Sequence, residues 1–269
     1  VAGYTEMLFK TATDSASVCQ ASIYTYSIPG NLSASKVDFL GSTGNNLAVG
    51  EDSAGARALE FYTVTASSYW GRKNVNLVYD NTNRLMKGLD SNAVDAKAKS
   101  VIVKQPGTNK NYFLFTRDTL GNLKYHKVEM SKIGYGTASA PSGEITGHTA
   151  LSGSSYGRHM AVVEDYINNY ALVYVTTHDT SAHKTTLLQL QIDDQGGVAQ
   201  TSLYSYSSYD KYGEGEIQIS PDGGSLAIYN HKKAFGFFNH RTIELITLKL
   251  DASYKTLDQA IPKVYWLYN

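Results

Sequence analysis

The 269-residue chain is long enough for a sizeable core in one or two domains, and its 21 tyrosines, with many Thr, Ser, Gly and Val, suit pleated strands joined by small polar turns. Its 24 basic residues equal its 24 acidic ones, so no net field draws in nucleic acid or an anionic membrane. No run approaches the roughly 20 apolar residues of a membrane span, no charged-then-apolar leader opens the chain, and a first residue of Val1 points to a mature secreted fragment or a piece of something longer.

In chain order, Ser22–Ile28 and Lys36–Leu40 alternate as strands. A first hairpin follows over 46–64, where Asn46-Leu-Ala-Val-Gly-Glu-Asp turns into Ala58-Leu-Glu-Phe-Tyr-Thr-Val. Val75–Tyr79 reads as an outer strand, fourth or third in its group, and Asp90–Lys99 has a weak helical pattern good for a turn or two. A second hairpin covers 100–116, with Lys124–Met130 alternating behind it. Gly134–Gly153, rich in Gly and Ser, reads as a loop. The third hairpin covers 159–177, followed by strands at Thr185–Ile192 and Ser202–Ser207 and a second polar loop to Gly215. The fourth covers 216–230, followed by Thr242–Leu250 and Lys263–Tyr268.

Four hairpins of one design at intervals somewhat under sixty residues are the mark of a radial array whose units are each too small to bury their own faces. The expected fold is all-β, a β-propeller of about five blades of four antiparallel strands, with four or six as the neighbouring solutions. The apolar rhythm resumes in phase after each polar stretch, so residues 1–269 read as a single domain.

Motifs that carry chemistry are weighed against turn chemistry. Gly153-Ser-Ser-Tyr-Gly157 matches the five-residue nucleophile-elbow pattern centred on Ser155, but that chemistry needs a strand, a sharp turn and a helix, and here the run lies between β elements. His178-Asp179 with His183 suggests a metal site, yet the spacing fits neither a two-His helix face nor alternate strand positions, and a solvated loop is the reading preferred. The pairs Glu51-Asp52, Glu164-Asp165 and Asp193-Asp194 fall at turns, the first two at equivalent turns, which favours backbone hydrogen bonding over general acid-base work. The single cysteine, Cys19, reads as a small buried apolar side chain. Neither a cofactor nor a resident metal is called for. Asn31-Leu-Ser is a nominal N-glycosylation acceptor.

The turn Ser220-Pro221-Asp222-Gly223 resembles the Ser-Pro-Asp-Gly strand pair of WD40-like propellers of the TolB type: Pro presets the first φ, Asp bonds back to the backbone and Gly accepts φ > 0. A wider order runs from Leu59-Glu-Phe-Tyr-Thr through Arg84-Leu-Met-Lys-Gly, Ala98–Gly107, Tyr112-Phe-Leu-Phe-Thr and Leu123–Met130 to that turn. Over roughly residues 55 to 250 it is similar to a propeller module of secreted Bacteroidetes proteins, found before Rhs/YD-repeat shells or with gliding-motility-associated surface regions. This chain departs from the commoner pattern, with Arg158-His159 where a Glu-Lys pair is often seen and Val64 where an aspartate follows Phe-Tyr-Thr. The resemblance implies export by the type IX route, a secreted or cell-surface location, type IX components as partners during export, and no established catalytic activity. Asp14-Ser-Ala, Asp52-Ser-Ala and Asp118-Thr-Leu resemble the O-glycosylation acceptor of such proteins.

Superposing the repeated turns aligns the polar residues that begin each inner strand: Asn46, Ser100, His159 and Glu216. In a propeller these would ring one mouth of the central channel, where adjacent loops would add Tyr69, Trp70, Arg72, Arg117, Asp118, Arg158, His178, His183, Glu214, His231 and Lys232. The expected function is that of a non-enzymatic extracellular module that binds a protein or glycan or docks onto a larger Rhs-type or surface assembly, since Tyr-rich, charge-balanced surfaces suit recognition by packing. A five-bladed glycoside hydrolase or lyase is the alternative, for which carboxylates are plentiful but no pair is set apart.

Overall fold

A computed structural model describes residues 20–25, 35–40, 43–51, 57–69, 72–82, 84–88, 94–95, 98, 100–153, 155–165, 168–207, 217–220, 224–233, 241–250 and 257–266. Among these the protein is all-β, without a helix, and its strands follow one another as an antiparallel meander. β1 (Gln20–Thr25) pairs with β2 (Ser35–Leu40). β3 (Thr43–Glu51), β4 (Arg57–Tyr69) and β5 (Arg72–Asp80) form a three-stranded sheet. Three four-stranded sheets come next: β6 (Val101–Lys104), β7 (Asn111–Arg117), β8 (Leu123–Glu129) and β9 (Glu144–Ala150); then β10 (Tyr156–Asp165), β11 (Tyr170–Asp179), β12 (Lys184–Ile192) and β13 (Val198–Ser207); then β14 (Ile217–Ile219), β15 (Ser225–Lys233), β16 (Arg241–Leu250) and β17 (Leu257–Trp266). Every sheet keeps its strands in chain order.

The expected hairpins are therefore the strand pairs β3-β4, β6-β7, β10-β11 and β14-β15, each the first pair of its sheet. Val75–Tyr79 falls in β5, a third strand. One expectation fails: Gly134–Gly153 is not all loop, because Glu144–Ala150 forms the edge strand β9. Its one large apolar residue, Ile145, is buried while the outer positions are polar, so the strand carries almost no apolar rhythm. The suggested helix at Asp90–Lys99 lies mostly outside the described residues, as do Asn31, Asp14, Asp52 and Cys19.

The chain divides into two compact units, Val1–Ala96 with Val128–Thr146, and Lys97–Lys127 with Gly147–Asn269. In the first, Phe61, Tyr62, Leu77 and Val78 are buried, and Tyr62 stacks on Tyr79 with ring centroids 5.4 Å apart. The Arg84–Gly88 segment closes that sheet: Met86 N–H donates to Val78 O (2.8 Å), and Gly88 at φ +84° lies so close to Ile145 that a Cβ would stand 2.1 Å from its carbonyl oxygen. Only glycine fits there.

In the second unit the period of two along β11 splits its side chains between two cores. Ala171, Val173 and Val175 join Val103, Phe113, Phe115 and Leu123 of the preceding sheet, whereas Tyr170, Leu172 and Tyr174 join Ile217, Leu226, Ile228, Ile246 and Leu248 of the following one. The middle sheet is thus covered on both faces, which is why β11 reads as a continuous apolar run. Each fully buried Leu or Val on it contributes roughly 1.5–3 kcal/mol. The first strands stand side by side, β10 lying against both β6 and β14. At their turn end, Lys104 N–H donates to Glu164 Oε1 (3.2 Å) and Gln105 Nε2 to Asp194 O (2.8 Å), tying adjacent sheets together.

Candidate binding face at the strand entrances

Two first strands begin with a bulge. In β10, Tyr156 faces Thr177 and Met160 faces Val175, so four steps on one strand match two on the other and Gly157, Arg158 and His159 bulge out. In β3, Thr43 faces Thr65 and Asn46 faces Thr63, so three steps match two and the first strand again carries an extra residue. Both irregularities fall where the sequence aligns the polar residues Asn46 and His159. A bulge bends its strand and re-aims side chains, and it recurs next to functional sites.

The β10 bulge is held from several sides. Tyr156 N–H donates to Gly121 O (2.8 Å), and its own carbonyl accepts Arg117 Nε–H (2.6 Å). His178 N–H donates to the carbonyl of Ser155, which sits at φ 59° (3.0 Å). Gly121 lies within 3.1 Å of the Arg117 guanidinium and 3.2 Å of Ser155 Cα, measured from where a Cβ would stand. Below the bulge the fully buried Tyr156 ring donates its hydroxyl hydrogen to Ser152 O (2.5 Å), with the Gln200 side-chain amide 3.2 Å from the same oxygen. Burial pushes that phenol above its ordinary value, with the Gln200 contact opposing in part.

The residues selected from the sequence fall in five settings. Arg158 and His159 are half-buried in the bulge, and Ser100 is buried immediately before β6. Arg117 and His178 were expected in loops and are instead buried strand residues: Arg117 ends β7 with its guanidinium on the Tyr156 carbonyl, and His178 lies in β11 with Nδ1 3.0 Å from Thr185 Oγ1. A polar partner on the neighbouring strand β12 lets β11 run on past its apolar core, and a carbonyl of the next sheet does the same for β7. Tyr69 and Arg72 face each other across the β4-β5 hairpin tip, and Lys232 is the last residue but one of β15, so second strands end in Tyr69, Arg117, His178-Asp179 and Lys232-Lys233. Trp70, Glu214, Glu216, Pro221, Asp222 and Gly223 lie outside the described residues. Ser220 serves its turn: its Oγ accepts Ser225 N–H (2.9 Å) and its N–H donates to Ser225 O (2.8 Å).

Ser155 is followed by strand β10, so the nucleophile elbow lacks its helix. Asp179 spends its carboxylate on Ser181 Oγ (2.6 Å) and on the N–H groups of Ser181 and Ala182, which hold its pKa below the ordinary carboxylate value. Among the described residues no three His, Cys, Asp or Glu side chains gather into a metal cluster. Sequence reasoning passed over His126 and His148, whose ring nitrogens meet across β8 and β9 at 2.7 Å. The available signal was His126 within the alternating Lys124–Met130 strand; nothing pointed to His148.

These features define a class and no more: an all-β protein of antiparallel meander sheets, with bulges at the entrances of β3 and β10 and with arginine and histidine around the second. No family model matches the chain, and no curated protein matches it.

Proposed function

We propose that the chain is a β-propeller of about five blades acting as a non-enzymatic binding or docking module, secreted or displayed at the cell surface by the type IX route. Five antiparallel sheets are present among the described residues, three of four strands, one of three and one of two. The observation that carries the reading is the packing of the second unit: three sheets stacked face to face with their first strands side by side, as blades around an axis require. The Ser-Pro-Asp-Gly turn and the order of motifs over residues 55 to 250 support the secreted setting.

The binding face is the entrance of β10, with Arg158, half-buried in its bulge, as the anchor, because desolvated arginine side chains are among those that dominate interface energetics. Its partner is a glycan or the remainder of a larger surface or Rhs-type parent. One preparation tested against a glycan array, the purified remainder of the parent protein and a panel of chromogenic glycosides decides the matter. Retention on one of the first two, weakened at least tenfold by Arg158→Ala at unchanged melting temperature, is expected. Turnover of any glycoside would instead establish the hydrolase or lyase.

A further inference from the structure

Thr116, His126 and His148 form one row across three neighbouring strands, β7, β8 and β9. Leu151 N–H donates to Leu123 O (2.9 Å), which sets the strands in a register that places His126 opposite His148. The two imidazoles meet edge to face, centroids 4.9 Å apart and planes at 74°, with Nδ1 turned to Nδ1 at 2.7 Å. On the far side of the His126 ring, Nε2 lies 2.8 Å from Thr116 Oγ1. That contact orients a ring that is almost wholly buried, whereas His148 is exposed on an edge strand and free to shift by a few tenths of an ångström.

We infer that His126 and His148 form a two-histidine site for a divalent transition ion of the zinc or copper class. With Nε2–H donated to the Thr116 hydroxyl, His126 accepts the Nδ1–H of His148 at its own unprotonated Nδ1; a metal takes the place of that proton, His148 carrying its hydrogen on the solvent-facing Nε2 instead, and Thr116 takes the orienting role that an outer partner plays for metal-bound histidine. Zinc-to-imidazole bonds of about 2.0–2.1 Å at tetrahedral to right-angled geometry put two nitrogens roughly 2.9–3.3 Å apart, a small opening from the observed 2.7 Å. Imidazole suits zinc, copper and nickel and not the hard oxygen-seeking ions. With two protein ligands the remaining positions fall to water, so the site is an open one.

The test titrates Zn²⁺, and separately Cu²⁺, into the intact chain stripped with a chelator, reading heat and the imidazole nitrogen resonances. One ion per chain saturating in the micromolar range, with the Nδ1 signals of both histidines shifted, is expected. His148→Ala should weaken binding at least tenfold without loss of the folded signal, because the side chain is exposed. Thr116→Val should weaken it by about tenfold through the lost orientation of His126. His183→Ala, at an exposed turn, should leave it unchanged. Absence of binding in that range, or affinity equal in His148→Ala and the parent, overturns the site; so does binding that disappears with His183→Ala.

Discussion

Aspartate closes strand after strand in this protein by the same local means. Asp80 Oδ1 accepts the N–H groups of Thr82 and Arg84, and Asp118 Oδ1 those of Leu120 and Asn122, at the same offsets of two and four residues. Asp165 takes Asn168 N–H, Asp179 those of Ser181 and Ala182, and Asp193 that of Gly197. A carboxylate occupied in this way is an Asx-turn acceptor, which is turn chemistry at Asp165 and Asp193, whereas Glu164 accepts Lys104 N–H from the adjacent sheet and Asp194 the Asn169 amide. Tyr156 makes the sharpest test at this scale. Its raised pKa means that the folded state favours the neutral phenol, so its contribution is fully present below the unfolded value of about 10 and is lost as pH rises through the folded value. Tyr156→Phe should therefore cost about 1 kcal/mol at neutral pH, for the hydrogen bond to Ser152, with a gap to the parent that narrows above pH ~10. Denaturant unfolding across that range checks it, and a gap that stays constant or widens would contradict the assignment.

The strands differ in how openly the sequence announces them. β4, β7 and β11 could be read directly because their buried positions are large and apolar, and β11 carries both cores of the second unit. β9 could not be read: Glu144-Ile-Thr-Gly-His-Thr-Ala offers one large apolar residue, since an edge strand needs only one anchored position and otherwise faces water. The last strand, β17, carries Pro262, a residue confined to edge strands because it cannot donate to ladders on both sides, and β17 pairs with β16 alone. Bulges at Asn46 and His159 were invisible too, because an extra residue leaves no mark in a pattern until the partner strand is known. The His126–His148 pair was hidden for the same reason: its register depends on the Met130–Gly143 connection. Leu172→Ala, in the core between the second and third four-stranded sheets, should cost about 2–5 kcal/mol in denaturant unfolding, against about 0.5 kcal/mol or less for Thr201→Ala on the exposed β13. Equal effects would show that the sheets do not stack through β11.

At the scale of the whole molecule, the proposed propeller makes one geometric demand: the first sheet, β1-β2, must lie beside the last, β14–β17. Sheets packed face to face stand about 10 Å apart, so an array that failed to close would leave its end sheets about 40 Å apart, whereas a ring brings them within roughly 25 Å. Spin labels at Val37→Cys in β2 and Ile261→Cys in β17, in a Cys19→Ser background that removes the single native thiol, measure that distance by pulsed electron resonance. A single narrow distribution within roughly 25 Å is the result the propeller predicts, and a distribution centred at about 40 Å or beyond would contradict it.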